Sequence, residues 1–116
     1  MKKENRVKKN EEISLIFKDG KSVANKQFVL YTLEKKGQTH LRLGVSVSKK
    51  LGNAVCRNRI KRLMREIVFQ LSGDLKESYD YLLIARKPCL EMDFHEMKKS
   101  ISHVCYRGST FKKKGE

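Results

Sequence analysis

The sequence predicts a single α+β domain, a two-layer sandwich with elements in the order α-β-β-β-α-β-α. Three patterns lead to this fold class. Apolar residues recur at steps of three and four between 56 and 71, as in a helix with one buried face. Residues 41–48 alternate between apolar and small or polar side chains, which is the period of a strand. Residues 81–85 form a continuous apolar run of strand length.

The first quarter of the chain predicts a short helix followed by two strands. Asn10 is expected to be the N-cap of the helix, and Gly20 is expected to end it. Residues 22–24 and 28–33 are rich in strand-forming side chains. Residues 34–40 are predicted to be a hairpin loop to the third strand, because they are polar and contain Gly37.

The third strand has one apolar face and one face of small or polar side chains. Leu41, Leu43, Val45 and Val47 are expected to enter the core. The alternate positions on the other face are Arg42, Gly44, Ser46 and Ser48. Small side chains leave room for a ligand to lie against the sheet.

A basic helix is predicted to follow, with Gly52 as a break and Asn53 as its N-cap. Its apolar stripe consists of Cys56, Ile60, Leu63, Met64, Ile67, Val68 and Leu71. On a helical wheel, a second group shares the opposite side: Arg57, Asn58, Lys61, Arg62 and Arg65. A solvated helix face normally mixes both signs of charge, whereas this one has no acid before Glu66. We therefore predict a helix that docks on nucleic acid rather than an ordinary solvated face.

The charge of the whole chain supports a polyanionic partner. The formal net charge is +14, from 27 Lys or Arg against 13 Asp or Glu. Residues 35–65 contain ten Lys or Arg and no acid. A membrane surface is a weaker candidate, because the basic helix lacks Trp or Phe anchors and no apolar run approaches bilayer length. Three widely spaced cysteines and no secretory signal favour a cytoplasmic protein.

The last third predicts a break at 72–74, the apolar strand and a final helix. Asp93 and Glu96 have the spacing of a capping pair. The apolar stripe of this helix consists of Phe94, Met97, Ile101, Val104 and Cys105. The whole chain, 1–116, is predicted to be one RNA-binding domain with basic flexible tails at about 1–9 and 107–116.

Side chains for independent catalysis are not evident. No His or Cys spacing suits a metal, no Walker-type loop follows Gly52, and Asp80 is expected only to serve a turn. Phe17 and Tyr31 could line a groove beside the small face of the third strand and stack on RNA bases, or could belong to the core. Phe28 is expected to be core.

Segments spanning nearly the whole chain resemble one known family. They are residues 6–10, Phe17-Lys18-Asp19-Gly20, 43–50, 52–55, Arg57-Asn58-Arg59-Ile60-Lys61-Arg62 and Ile84-Ala85-Arg86. The family is the protein subunit of bacterial ribonuclease P. The resemblance implies a left-handed βαβ crossover, against the usual handedness, in the fold described as ribosomal protein S5 domain 2-like.

The resemblance also implies a function and two sets of site residues. A partner RNA would cleave precursor tRNA at the mature 5′ end with Mg²⁺, while the protein's side chains bind no cofactor. Docking on that RNA would involve Lys49, Lys50, Asn53, Arg57, Asn58, Arg59, Lys61, Arg62 and Arg65. A cleft for the 5′ leader would involve Ile13, Phe17, Tyr31, Ser46, Ser48, Lys49, Lys50, Arg86 and Lys87. Neither a membrane nor DNA is expected as a partner.

The sequence departs from the family pattern at one position, and it leaves two other functions open. The family often has an aromatic residue where this chain has Ile13, and an aliphatic side chain cannot stack on a base. A structural RNA-binding protein of ribosomal type would share the same composition and small fold. A metal-dependent nuclease acting alone is the third possibility, and the lack of a recognisable site argues against it.

Overall fold

A computed structural model describes residues 5–113, and its elements follow the predicted order. They are α1 (Asn10–Asp19), β1 (Lys21–Ala24), β2 (Phe28–Glu34), β3 (Arg42–Ser46), α2 (Ala54–Leu71), β4 (Tyr79–Ala85) and α3 (Phe94–Arg107). Short 3₁₀ turns lie at Lys49–Leu51, Ser72–Asp74 and Lys87–Glu91. Within 5–113, no helix is both long and apolar enough to span a bilayer.

The four strands form one sheet in the order β1-β2-β4-β3. β4 pairs antiparallel with β2 and parallel with β3. The predicted hairpin at 34–40 is therefore wrong, because β4 lies between the two strands that this loop connects. β4 takes the central position since its apolar run is buried on both faces, as Leu82 and Leu83 show at 2% and 0% exposure.

The helices cover the two faces of the sheet unequally. α2 and α3 pack on one face and form the main core with Phe28, Leu30 and Leu83. α1 lies on the other face, where a small separate cluster contains Ile16 and Leu82. The α+β class is confirmed. The parallel pair β3–β4 is connected through α2, and the left-handed sense of that crossover stays a prediction.

The predicted apolar stripes of α2 and α3 are confirmed. The buried residues of α2 are Ile60, Met64, Ile67 and Val68, and those of α3 include Met97, Ile101, Val104 and Cys105. Both predicted caps are also present. Asn53 Oδ1 accepts a hydrogen bond from Cys56 N at 2.9 Å. Asp93 and Glu96 form a complete capping box.

The predicted cap of α1 is wrong by one residue. Lys9 is the N-cap and makes no side-chain capping bond, while Asn10 is already helical. Gly20 does follow the last helical residue, but its role is steric. A Cβ at this position would lie 2.4 Å from Ile16 O and 2.7 Å from Thr32 O. Glycine therefore allows the end of α1 to approach β2 closely.

The predicted flexible tails are wrong for the parts that the structure describes. Near the N-terminus, Val7 is buried and its N–H donates to Leu43 O at 3.0 Å. Near the C-terminus, Thr110 is buried and its carbonyl accepts from Lys76 N at 2.8 Å. Each segment thus pairs its backbone with the domain and buries a side chain. Residues 1–4 and 114–116 lie outside the described residues.

Candidate RNA-binding surfaces

One face of α2 presents cations that no carboxylate of the described residues neutralises. We define the basic surface of α2 as Arg57, Asn58, Arg59, Lys61 and Arg62. Asn58, Arg59 and Arg62 are exposed, while the other two are half-buried. Within residues 5–113, none of these cations forms an ion pair. This surface therefore carries positive charge that favours contact with phosphates.

The start of α2 holds Arg57 in a defined orientation. The Arg57 Nε donates to the Gly52 carbonyl at 3.2 Å, and Asn53 caps the same turn. Gly52 has φ +152°, and a Cβ there would lie 3.0 Å from the Cys56 sulfur. Glycine is required at this position for both reasons. Arg57 and Asn53 thus contribute to local structure as well as to the candidate surface.

Lys49 and Lys50 lie between the end of β3 and the start of α2. Both are exposed in a 3₁₀ turn, and Ser48 Oγ accepts from Lys50 N at 3.2 Å. Because β3 and β4 are parallel, Arg86 and Lys87 leave the sheet at the same edge. All four cations therefore lie past the C-terminal ends of the two parallel strands.

A cleft of about 290 Å³ lies between α1, the N-terminal segment and the sheet. Its lining residues are Arg6, Val7, Lys8, Ile13, Phe17, Leu43, Gly44, Val45, Ser46, Arg65 and Leu82. Phe17 is 48% exposed, and its ring centroid lies 4.8 Å from that of Tyr31 in an edge-to-face pair. Of the two aromatics whose role was open, Phe17 lines the cleft, whereas Tyr31 contacts the Phe17 ring without lining the cleft. Phe28 is fully buried in the core, as predicted.

The face of the sheet that lines this cleft extends beyond it. Strand registers align Ser46 with Ile84, Ile84 with Val29, and Val29 with Ala24. All four are partly or fully exposed, since α1 covers only the neighbouring part of this face. The small face predicted from β3 is therefore open at Ser46, whereas Gly44 lines the cleft but is buried against Leu82 and Val7.

The structure groups some predicted residues differently. Arg65 was predicted to dock the catalytic RNA, but it lines the cleft beside Arg6. Burial and the nearby charge of Arg6 lower the pKa of Arg65 below its usual value. Six of the residues predicted for the leader cleft do not line it: Tyr31, Ser48, Lys49, Lys50, Arg86 and Lys87. All of these except Tyr31 lie past the C-terminal ends of β3 and β4. Arg86 instead donates from Nη1 to Asn25 O at 2.9 Å.

Sequence reasoning missed the contribution of the N-terminal segment to the cleft. Arg6 forms a parallel bridge with Leu43, and Arg6, Val7 and Lys8 all line the cleft. The alternation of Arg6, Val7 and Lys8 could have indicated an added edge strand. Three successive residues are too few for that pattern to stand out.

Two cysteines of the main core have perturbed titration. Within the described residues, no group of three His, Cys, Asp or Glu is placed to hold a metal ion. Burial raises the pKa of the Cys105 thiol to about 11 and also raises that of Cys89. Both thiols are therefore protonated and poorly nucleophilic near neutral pH.

Comparison with known proteins decides the family. The family model described as Ribonuclease P matches residues 1–108. The chain belongs to the ribonuclease P protein family. This membership favours the ribonuclease P interpretation over a structural protein of the ribosome.

Relatives in this family are similar over almost their full length. The ribonuclease P protein component of Listeria monocytogenes serotype 4a (strain HCC23) is 54% identical over 114 residues, which cover 98% of this chain and 96% of the relative. That of Shouchella clausii is 58% identical over 104 residues, 90% of this chain and 85% of the relative.

Solved structures of ribonuclease P proteins share the fold. The Staphylococcus aureus protein has a TM-score of 0.86 at 44% identity, covering 93% of this chain and 98% of that one. The Thermotoga maritima protein has a TM-score of 0.81 at 32% identity, covering 88% and 96%. The element order inferred from the sequence is therefore that of the family.

Proposed function

We propose that this protein binds the RNA subunit of ribonuclease P through the basic surface of α2 and holds the 5′ leader of precursor tRNA in the cleft. It thereby assists the Mg²⁺-dependent endonucleolytic removal of the leader that yields the mature tRNA 5′ end. The observation that carries the proposal is the presence of a cationic helix face and a separate aromatic cleft on one small domain.

The basic surface of α2 suits a folded RNA. Its cations project from an 18-residue helix whose opposite face is anchored in the core by Ile60, Met64, Ile67 and Val68. A helix that is fixed in this way presents its charges without further loss of backbone entropy. Each phosphate that it neutralises releases counterions, so the affinity should fall steeply with monovalent salt.

The cleft suits a single strand. Phe17 offers a half-exposed ring for stacking, Ser46 is exposed on the sheet at the cleft, and Arg6 and Arg65 supply charge for the backbone. Stacking of a base on an aromatic ring contributes about 1–3 kcal/mol. The cationic edge formed by Lys49, Lys50, Arg86 and Lys87 would extend the path of the strand beyond the cleft, at the same end of β3 and β4.

In this proposal, the RNA subunit carries the chemistry and binds the Mg²⁺. The protein contributes charge neutralisation and positioning of the leader, so that the scissile phosphate is presented to the RNA in one orientation. No step is assigned to a protein side chain. We place the complex in the cytoplasm.

Reconstitution tests the proposal. Cleavage of precursor tRNA is measured at low Mg²⁺ with the RNA subunit alone, the protein alone and both together. We expect cleavage with both together to be far faster than with the RNA subunit alone, and we expect no cleavage with the protein alone. Cleavage by RNA-free protein would instead indicate a nuclease acting alone. Lack of stimulation, together with binding to ribosomal RNA, would indicate the structural alternative.

A further inference from the structure

A buried carboxylate lies on the central strand close to the cleft. Asp80 is 1% exposed, so the expectation that it serves a turn is wrong. The Arg42 Nε lies 3.2 Å from Asp80 Oδ1, although the two are too poorly aligned for a hydrogen bond. A buried carboxylate is costly unless a cation compensates it. Among the residues described, Arg42 is the cation that does so.

Arg42 also contacts the first helix. Its Nη2 donates to Oε2 of Glu12, which lies in the first turn of α1. This hydrogen bond is the main cause that lowers the pKa of Glu12, so its carboxylate is ionised at neutral pH. Arg42 thus links α1 to β3 and, through Asp80, to β4. We call Glu12, Arg42 and Asp80 the ion-pair cluster.

The ion-pair cluster lies at one end of α1, and a second close contact lies at the other. There, Gly20 approaches the Thr32 carbonyl so closely that a Cβ would lie 2.7 Å from it. Between these two ends, Ile13 and Phe17 line the cleft. The orientation of α1 across the sheet therefore determines how far these two side chains stand from the floor.

Apolar packing alone holds α1 weakly. Ile16 is the one residue of this helix that is fully buried, and its cluster is small beside the core under α2 and α3. A helix of 10 residues is marginal on its own in water. Contacts at the two ends of α1 must therefore contribute much of what fixes its position.

We propose that the ion-pair cluster sets the position of α1 over the sheet and thereby the width of the cleft. Glu12 and Arg42 are then positioning residues for the single strand that enters it. The consequence for the leader rests on the function proposed above. The consequence for α1 does not.

The key variant is Glu12→Gln, with Glu11→Gln as its matched control. Both remove one negative charge from the first turn of α1, and Glu11 is exposed with no ion pair within residues 5–113. Loss of an acid near an RNA site should by charge alone slightly strengthen binding. The proposal predicts weaker binding for Glu12→Gln. The direction of the change in affinity therefore distinguishes an effect of positioning from an effect of charge.

Two measurements are made on both variants with the full-length chain. Amide hydrogen exchange is followed in α1 and in α2. Affinity is measured in the complex with the RNA subunit, using precursor tRNA with a leader and mature tRNA. For Glu12→Gln we expect faster exchange confined to α1 and about three- to tenfold weaker binding of the leader-bearing substrate alone. For Glu11→Gln we expect neither change.

Three results would overturn the proposal. The first is unchanged exchange in α1 of Glu12→Gln. The second is faster exchange in α2 as well, which would mean a general loss of stability. The third is a leader affinity equal to that of Glu11→Gln. If the unaltered protein itself binds both tRNAs equally, the leader function fails, and the exchange data still decide whether the ion-pair cluster fixes α1.

Discussion

The basic surface of α2 and the cleft differ in how many parts of the chain build them. The basic surface belongs to one helix, with its cations within six consecutive residues and a deeply buried opposite face. The cleft combines the N-terminal segment, α1, the sheet and Arg65. One site is therefore local in sequence and rigid, whereas the other depends on the relative position of separate elements.

This difference has a consequence for how substitutions act. Exposed side chains on α2 make few contacts with the rest of the domain, so their loss should affect binding without affecting folding. Side chains around the cleft serve both purposes, because α1 is held by a small cluster and the ion pair to Arg42. Binding and stability should be separable at the first site and partly coupled at the second.

The largest effect is expected for Arg59→Ala combined with Arg62→Ala. Affinity for the RNA subunit should fall about tenfold or more at low salt, and the slope of log K against log salt should become shallower by about 1.5 units. Tm should stay within about 3 °C, since both side chains are exposed. Salt-dependent binding and thermal melts measure this.

A control for this prediction removes the same charge elsewhere. Lys36→Ala combined with Lys99→Ala alters exposed cations in the β2–β3 loop and in α3. We expect a much smaller loss of affinity. An equal loss would mean that total charge rather than the α2 surface determines binding, and a large drop in Tm for the α2 variant would make those arginines structural.

The next largest effect is expected at the cleft, for Phe17→Ala. It removes the half-exposed ring at the cleft, so affinity for leader-bearing precursor tRNA should fall about tenfold, while mature tRNA binds as before. Leu15→Ala is the matched control, because this side chain is 43% exposed on the same helix and does not line the cleft. Equal losses for precursor and mature tRNA would exclude the cleft assignment.

The smallest expected effect is a gain. Ile13 lines the cleft one turn before Phe17, and Ile13→Phe would add a second ring for stacking. Leader affinity should rise about two- to fivefold, a fraction of the full energy of stacking a base. Competition binding against the unaltered protein measures it. Weaker binding with an unchanged Tm would show that the cleft has no room for a second base beside this ring.

The sequence was most informative where structure depends on neighbouring residues. The period of Ile60, Met64 and Ile67 predicted both the buried face of α2 and the cations opposite, and Asn53 and Asp93 were recognised as caps. Such features depend on helical geometry alone. The resemblance added the family and the expectation of a leader cleft.

Features that depend on contacts between residues far apart in the sequence could not be predicted in the same way. The insertion of β4 between β2 and β3 leaves no local signal at 34–40, so this loop resembled a hairpin. The contribution of Arg6 to the cleft follows from how the N-terminal segment pairs with β3, and that of Arg65 follows from the packing of α2 beside β3. The burial of Asp80 likewise depends on Arg42 being its partner across two strands. Pairing of this kind is set by tertiary structure.

The most direct test of the central claim compares two variants in two assays. Affinity for the RNA subunit, and the ratio of affinities for precursor and mature tRNA, are measured for the Arg59→Ala, Arg62→Ala variant and for Phe17→Ala. We expect the Arg59→Ala, Arg62→Ala variant to bind the RNA subunit more weakly with an unchanged ratio of precursor to mature tRNA affinity. We expect Phe17→Ala to bind the RNA subunit normally, with a lower ratio. Parallel losses of both quantities in both variants would contradict the existence of two separate binding surfaces.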